Sequence, residues 1–307
     1  MQEIIDAHYH LWDTDHLRYA LFDTIPALNR PFTAVDFDAV AARNGVSQSV
    51  CIEAASAGVD GLAEARWLLD QLDRSTVISR LVAWAPLERG DLRAYLDELR
   101  RIGGDRIVGV RRSFEFETPD FPGRAETIAG ARLAATYGYT VDLVLFKGSL
   151  PAVLDLVRAC PDVQFILDHV GKPGIRERIL HPWMVQIAAL AACGNVVCKI
   201  SGLVTEADRE NWRKEDLQPY ISHAISCFGW DRVLFGSDWP VCEQATTYGR
   251  WLEAVNWAVS DAAEADRQKL FAGNARRIYR LPSSRISVSS GWGASSSGPT
   301  VPPRASM

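Results

Sequence analysis

Long hydrophobic runs are missing from this chain. None of its apolar stretches reaches the ~20 residues that a membrane-spanning helix needs, so no membrane partner is expected. The opening residues, Met1-Gln2-Glu3-Ile4-Ile5-Asp6, have neither a basic segment nor an apolar segment before a cleavage site. No secretory signal is therefore expected, and the expected compartment is the cytoplasm. Cysteine pairing is also absent: the six cysteines are scattered and none forms a C-x-x-C pair, which argues against a disulfide framework and for reduced, buried thiols. There is no excess of positive charge. The net charge of −5 argues against a nucleic-acid partner, which would favour a basic face, but it does not fix the sign of a small-molecule substrate. Homo-oligomerisation stays open.

What is present is apolar mass and regular alternation. Hydrophobic residues make up 48% of the 307 residues, enough for a sizeable core. Eight β-rich runs recur at intervals of roughly 25 to 35 residues with helical patterns between them, as in parallel βα units. The runs are Glu3–His8, Gln48–Glu53, Val77–Trp84, Ile107–Arg112, Thr140–Leu145, Gln164–His169, Asn195–Ser201 and Val233–Asp238. Most are nearly continuous apolar stretches, as expected of strands buried on both faces. Helix periodicity is clear over Leu62–Leu69 and over Leu92–Ile102, where Asp91 is placed to cap the start and Gly103-Gly104 to end it. An open dinucleotide-binding sheet would carry G-x-G-x-x-G after its first strand, where this chain has H-Y-H-L-W-D. The expected fold is therefore an α/β protein, a (β/α)₈ barrel, formed as one domain over residues 1–281. Residues 282–307 are rich in Ser, Gly and Pro with few large apolar groups, and are expected to be a disordered tail.

In a barrel of this kind, chemistry sits at the C-terminal ends of the strands. The first run ends in His8-Tyr9-His10, and alternation on an extended chain turns both histidines to one side. The sixth ends at His169 and the eighth at Asp238. Taken singly, each has an ordinary explanation: histidines hydrogen-bonded in a loop or core, or an Asp238 ion pair with Arg111 or Arg112. Together, three histidines and a carboxylate converging at one mouth suit Zn²⁺ or another divalent ion. Arg111 and Arg112, at the end of the fourth run, are candidates to hold a carboxylate or hydroxyls of a substrate.

IDAHYHLWD near the start, GVRR on the fourth run, ILDHVGKP on the sixth, KISGLVTEA after the seventh and LFGSDWPV on the eighth resemble the amidohydrolase-related lactonases. That branch acts on sugar-acid lactones and on pyrone-dicarboxylate lactone. The resemblance runs in order from about Ile4 to Tyr279. It implies a barrel hydrolase in which His8 and His10 match the first-strand pair, His169 the sixth-strand histidine and Asp238 the eighth-strand aspartate. It also implies at most one metal, because the carboxylated lysine and the fifth-strand histidine of two-metal relatives have no counterpart here. Some relatives in the branch work with one zinc and others with none. Glu53 is a further candidate ligand or substrate contact.

The reaction so implied is hydrolysis of a small-molecule lactone. Asp238 acts as general base on a water that His169 orients or that a metal holds. Arg111, Arg112 and Lys199 are candidate substrate contacts. Trp84 and Trp239 are candidate walls under a sugar ring, although core packing is the more ordinary role for both. Two other functions compete: a metal-dependent non-oxidative decarboxylase on the same barrel, and a catalytically silent binding protein.

Overall fold

A computed structural model describes residues 2–54 and 60–282; the segment 283–307, where the tail is expected, lies outside the described residues. Eight strands form one sheet in sequential order: β1 Ile4–His10, β2 Val46–Ile52, β3 Ile78–Trp84, β4 Ile107–Ser113, β5 Thr140–Val144, β6 Phe165–Leu167, β7 Val196–Ile200 and β8 Val233–Phe235. Each pairs in parallel with the next. Helices interleave throughout, giving a (β/α)₈ barrel.

The seam between β8 and β1 is closed beyond the end of β8. There the Asp238 amide donates to the His8 carbonyl at 2.8 Å, and the His10 amide donates to the Trp239 carbonyl at 2.7 Å. The Asp6 carboxylate reinforces it by accepting from the amides of both His8, at 3.1 Å, and Ser237, at 3.0 Å.

Two apolar layers follow from burial of the strands on both faces. Inside the barrel, Ile5, Ala7, Val50, Val82, Ile166, Val197 and Leu234 pack together. Ala272, Ala275, Ile278 and Tyr279 from the C-terminal helical segment join them. Outside, a larger core lies between strands and helices. The helix Leu92–Gly103 shows how that core is built. Leu92, Leu96 and Leu99 recur at three- and four-residue spacing on its buried face. It ends at Gly104, whose positive φ of 55° suits a residue without Cβ. Its start corrects the sequence expectation. The Asp91 side chain makes no capping bond and instead accepts from Arg89 Nε at 2.9 Å, because an adjacent cation outcompetes the amides of the first turn.

Candidate active site

The first-strand histidines reach the barrel interior through a change of phase. Asp6 pairs with Ser49 and Tyr9 with Cys51, so β1 has one more residue than β2 across this interval, a β-bulge. Ile5 and Ala7 face the apolar plug, and after the bulge His8 and His10 also turn inward. His169 and Asp238 stand just past the short strands β6 and β8 with φ of 53° and 59°. Such left-handed backbone is uncommon for residues other than glycine, and it swings both side chains over the mouth.

Three donor atoms meet there. His8 Nε2 lies 3.2 Å from His10 Nε2 and 3.8 Å from Asp238 Oδ1, which is 3.4 Å from His10 Nε2. His169 Nε2 stands a little further off, 4.0 Å from Asp238 Oδ1, and its Nδ1 is 3.0 Å from Ser201 Oγ. The tautomer of His10 is set by its neighbours. Its Nδ1 is 3.0 Å and 2.9 Å from the carbonyls of Ile52 and Glu53, which only accept, so Nδ1 carries a proton and Nε2 is the atom turned toward Asp238. Two ligands each ~2.1 Å from a tetrahedral zinc stand ~3.4 Å apart, so His8, His10 and Asp238 are spaced to hold one divalent ion.

Beneath these groups lies a buried ionic network. Asp168 takes Arg111 Nη1 at 3.2 Å, Lys199 Nζ at 3.0 Å and His8 Nδ1 at 3.2 Å. Arg111 also donates from Nε to Glu53 Oε1 at 2.6 Å. Lys199 Nζ is 2.6 Å from Asp142 Oδ2, which in turn accepts from the Tyr279 hydroxyl at 2.8 Å. Burial alone would raise the pKa of both Asp168 and Asp238. Lys199, His8 and Arg111 hold Asp168 well below the usual carboxylate range, and His169, His10 and His8 hold Asp238 below it. Burial is the largest influence on His8 and His169 and lowers the pKa of both, against the pull of Asp168 and, for His169, Asp238.

A cavity of about 250 Å³ opens over the site. His10, His169, Asp238 and Arg111 line its floor. Its remaining lining includes the polar Glu115, Lys172, Thr205, Glu206, Arg209 and Gln244 and the apolar Trp12, Leu21, Phe22, Ile25 and Phe116. Other residues singled out from the sequence stand elsewhere. Lys199 is fully buried below the floor. Arg112 points away from Arg111, bound to Glu88 and Glu117. Trp84 packs edge-on against Tyr95, and Trp239 against Phe32, with its indole N–H on Glu243 at 2.8 Å. None of these four lines the cavity. Glu53 is buried beside Arg111, with Oε2 lacking a hydrogen-bond partner among the described residues. Sequence reasoning missed Asp168, Lys172 and Glu115. The first two lie inside ILDHVGKP, and a buried strand ending in two adjacent titratable residues was the signal for Asp168.

Comparison with known proteins gives a consistent set of matches. The amidohydrolase family model matches residues 5–281. The L-fucono-1,5-lactonase of Burkholderia ambifaria is 31% identical over 288 residues, covering 90% of this chain and 95% of the relative. The L-fucono-1,5-lactonase of Burkholderia multivorans is 31% identical, covering 91% of this chain and 96% of the relative. A crystal structure of an amidohydrolase from Burkholderia multivorans with bound zinc superimposes with a TM-score of 0.83 at 29% identity, over 91% of this chain and all of that one.

Proposed function

This chain belongs to the amidohydrolase family, and from that premise we propose that it hydrolyses a lactone, with a sugar-acid lactone as the substrate class. The observation that carries this reading is Asp238, an ionised carboxylate at the floor of a small cavity, within 4.0 Å of three imidazoles. The lactonase relatives support the bond type, and the hydroxyl, amide and charged groups among the lining residues suit a hydroxylated ring.

In the proposed reaction Asp238 accepts a proton from water as the water oxygen adds to the lactone carbonyl. The ring C–O bond then breaks, and the departing alkoxide takes the proton back from Asp238. The product is a hydroxy acid, which loses one proton to solvent at neutral pH. His169, hydrogen-bonded to Ser201, orients the water. Arg111, held by Glu53 and Asp168, presents a fixed positive edge at the floor. His8, His10 and Asp238 would hold one divalent cation, zinc by the nature of the donors, which when bound would polarise the carbonyl.

A pH-indicator assay across aldonolactones and aromatic lactones, run with and without chelator, tests the reading. We expect proton release with at least one aldonolactone at turnover well above the uncatalysed rate. Absence of turnover across the panel with zinc supplied, or release of CO₂ from hydroxybenzoates instead, overturns it.

A further inference from the structure

Among the described residues, three cations line the cavity: Arg111, Lys172 and Arg209. Two of them are already matched by carboxylates. Arg111 lies between Glu53 at 2.6 Å and Asp168 at 3.2 Å. The Lys172 ammonium lies between Glu115, to which it donates a hydrogen bond, and Glu206 Oε1 at 3.6 Å. Arg209 is exposed and donates to a neutral partner, Gln244 Oε1, at 2.9 Å. The group around Lys172 is assembled from three strand ends. Glu115 follows β4, Lys172 follows β6 with a left-handed φ of 50°, and Glu206 closes the short helix Leu203–Glu206 after β7. All three are partly buried and line the cavity. Burial acts to lower the Lys172 pKa, but Glu115, Glu206 and, less strongly, Asp238 raise it, so the ammonium stays charged.

We propose that Glu115, Lys172 and Glu206 form a hydroxyl-reading clamp of net negative charge, which selects an uncharged lactone and rejects one that carries a carboxylate. This rests on the lactonase reading and deepens it by assigning the choice of substrate charge to named residues. A ring hydroxyl both donates and accepts. It can donate to either glutamate and accept from Lys172, whose ammonium has three N–H donors and spends one on Glu115. A ligand carboxylate only accepts. To reach the ammonium it must displace a glutamate or stand beside two like charges, in a partly buried space where solvent and salt screen weakly. Arg111 offers no relief, because Glu53 and Asp168 offset its charge in the same way, and Asp238 adds a further negative charge at the floor. The three residues of the clamp meet the substituents of the ring and leave the breaking bond to Asp238.

The test is calorimetric binding of two ring analogues to the full-length protein at low salt. One is an uncharged aldonolactam, whose ring amide resists hydrolysis. The other is the matching aldarolactam, with a carboxylate in place of the terminal hydroxymethyl group. We expect wild type to bind the uncharged lactam at least about tenfold more tightly. Glu115→Gln and Glu206→Gln each remove one negative charge and keep the shape. In either variant the preference is expected to shrink at least about threefold, with the charged lactam gaining affinity. Equal or tighter binding of the charged lactam by wild type, a preference unchanged in both variants, or no binding of the uncharged lactam overturns the proposal. Turnover of lactones on the same samples judges the reaction separately. Hydrolysis without the preference keeps the activity and removes the clamp, whereas the preference without hydrolysis of any lactone does the reverse.

Discussion

Asp238 keeps its charge where burial alone would favour the neutral acid, because three imidazoles surround it. Asp238→Asn preserves shape and removes the proton acceptor, so kcat is expected to fall about 10²- to 10⁴-fold with a smaller change in KM. If the carboxylate served only in an ion pair, the same variant would lose stability and keep its turnover. Measuring kcat beside a melting curve separates the two, and a folded variant within a few-fold of wild type removes Asp238 from the chemistry. At this scale the sequence was informative about position and silent about direction. His8, His10, His169 and Asp238 were legible because polar residues at the ends of apolar strands have few other places to go. Arg111 and Arg112 are adjacent and chemically identical, yet one enters the network under the cavity and the other faces Glu88 and Glu117. Pleating separates them, and composition does not say which is which. Trp239 turned to the core, where its indole found aromatic neighbours and the Glu243 carboxylate, and Trp84 stays half-buried against Tyr95 of the helix Leu92–Gly103.

Among the elements, the strands were read almost in place, but β6 and β8 stop at Leu167 and Phe235, short of the residues that carry the site. Apolar β-branched runs announce strands. The left-handed turn at His169 and Asp238 is imposed by tertiary contacts, such as the Asp238 amide on the His8 carbonyl, and leaves no local signature. The turn after β7 shows how tightly these ends are packed. Gly202 has φ of 63°, and a Cβ there would lie 2.4 Å from His169 Nδ1 and 3.1 Å from Asp238 Oδ2. Gly202→Ala combines left-handed strain of about 1–2 kcal/mol with displacement of both side chains. Turnover is expected to fall on the order of 10²-fold while the barrel still folds. Near-wild-type kcat in that variant would mean that His169 and Asp238 tolerate movement and are not held for catalysis.

For the molecule as a whole, Asp6 makes closure of the barrel sensitive to pH. Burial pushes its carboxyl up to about 6, despite the amide and hydroxyl groups of Ser237 and the amide of His8. An acid whose folded pKa is raised stays protonated in the fold while the unfolded chain already ionises. Its contribution to stability is therefore lost as pH rises from about 4 to about 6, by on the order of 3 kcal/mol. Asp6→Asn can accept the same two amides and has nothing to ionise. The stability of the variant relative to wild type is expected to rise across that interval and level off above it, read from chemical denaturation at a series of pH values. A difference independent of pH would show that Asp6 is ionised in the folded protein throughout.

The bonds that close the β1–β8 seam join residues about 230 positions apart, and two of the residues whose amides make them, His10 and Asp238, also line the cavity with their side chains. A growing chain thus has no functional pocket until its last strand docks, so competence arrives only with completion. A cation seated among His8, His10 and Asp238 would bridge the first and last strands and act as a clasp on the finished ring. Because it has no preformed home in the open chain, it would favour the closed form by about 2.7 kcal/mol at a hundred times its Kd. The melting temperature is expected to climb with Zn²⁺ concentration in wild type and to stay flat in His8→Gln; equal gains in both would locate the ion elsewhere. Trace metal supply would then govern how long the enzyme survives as well as how fast it works.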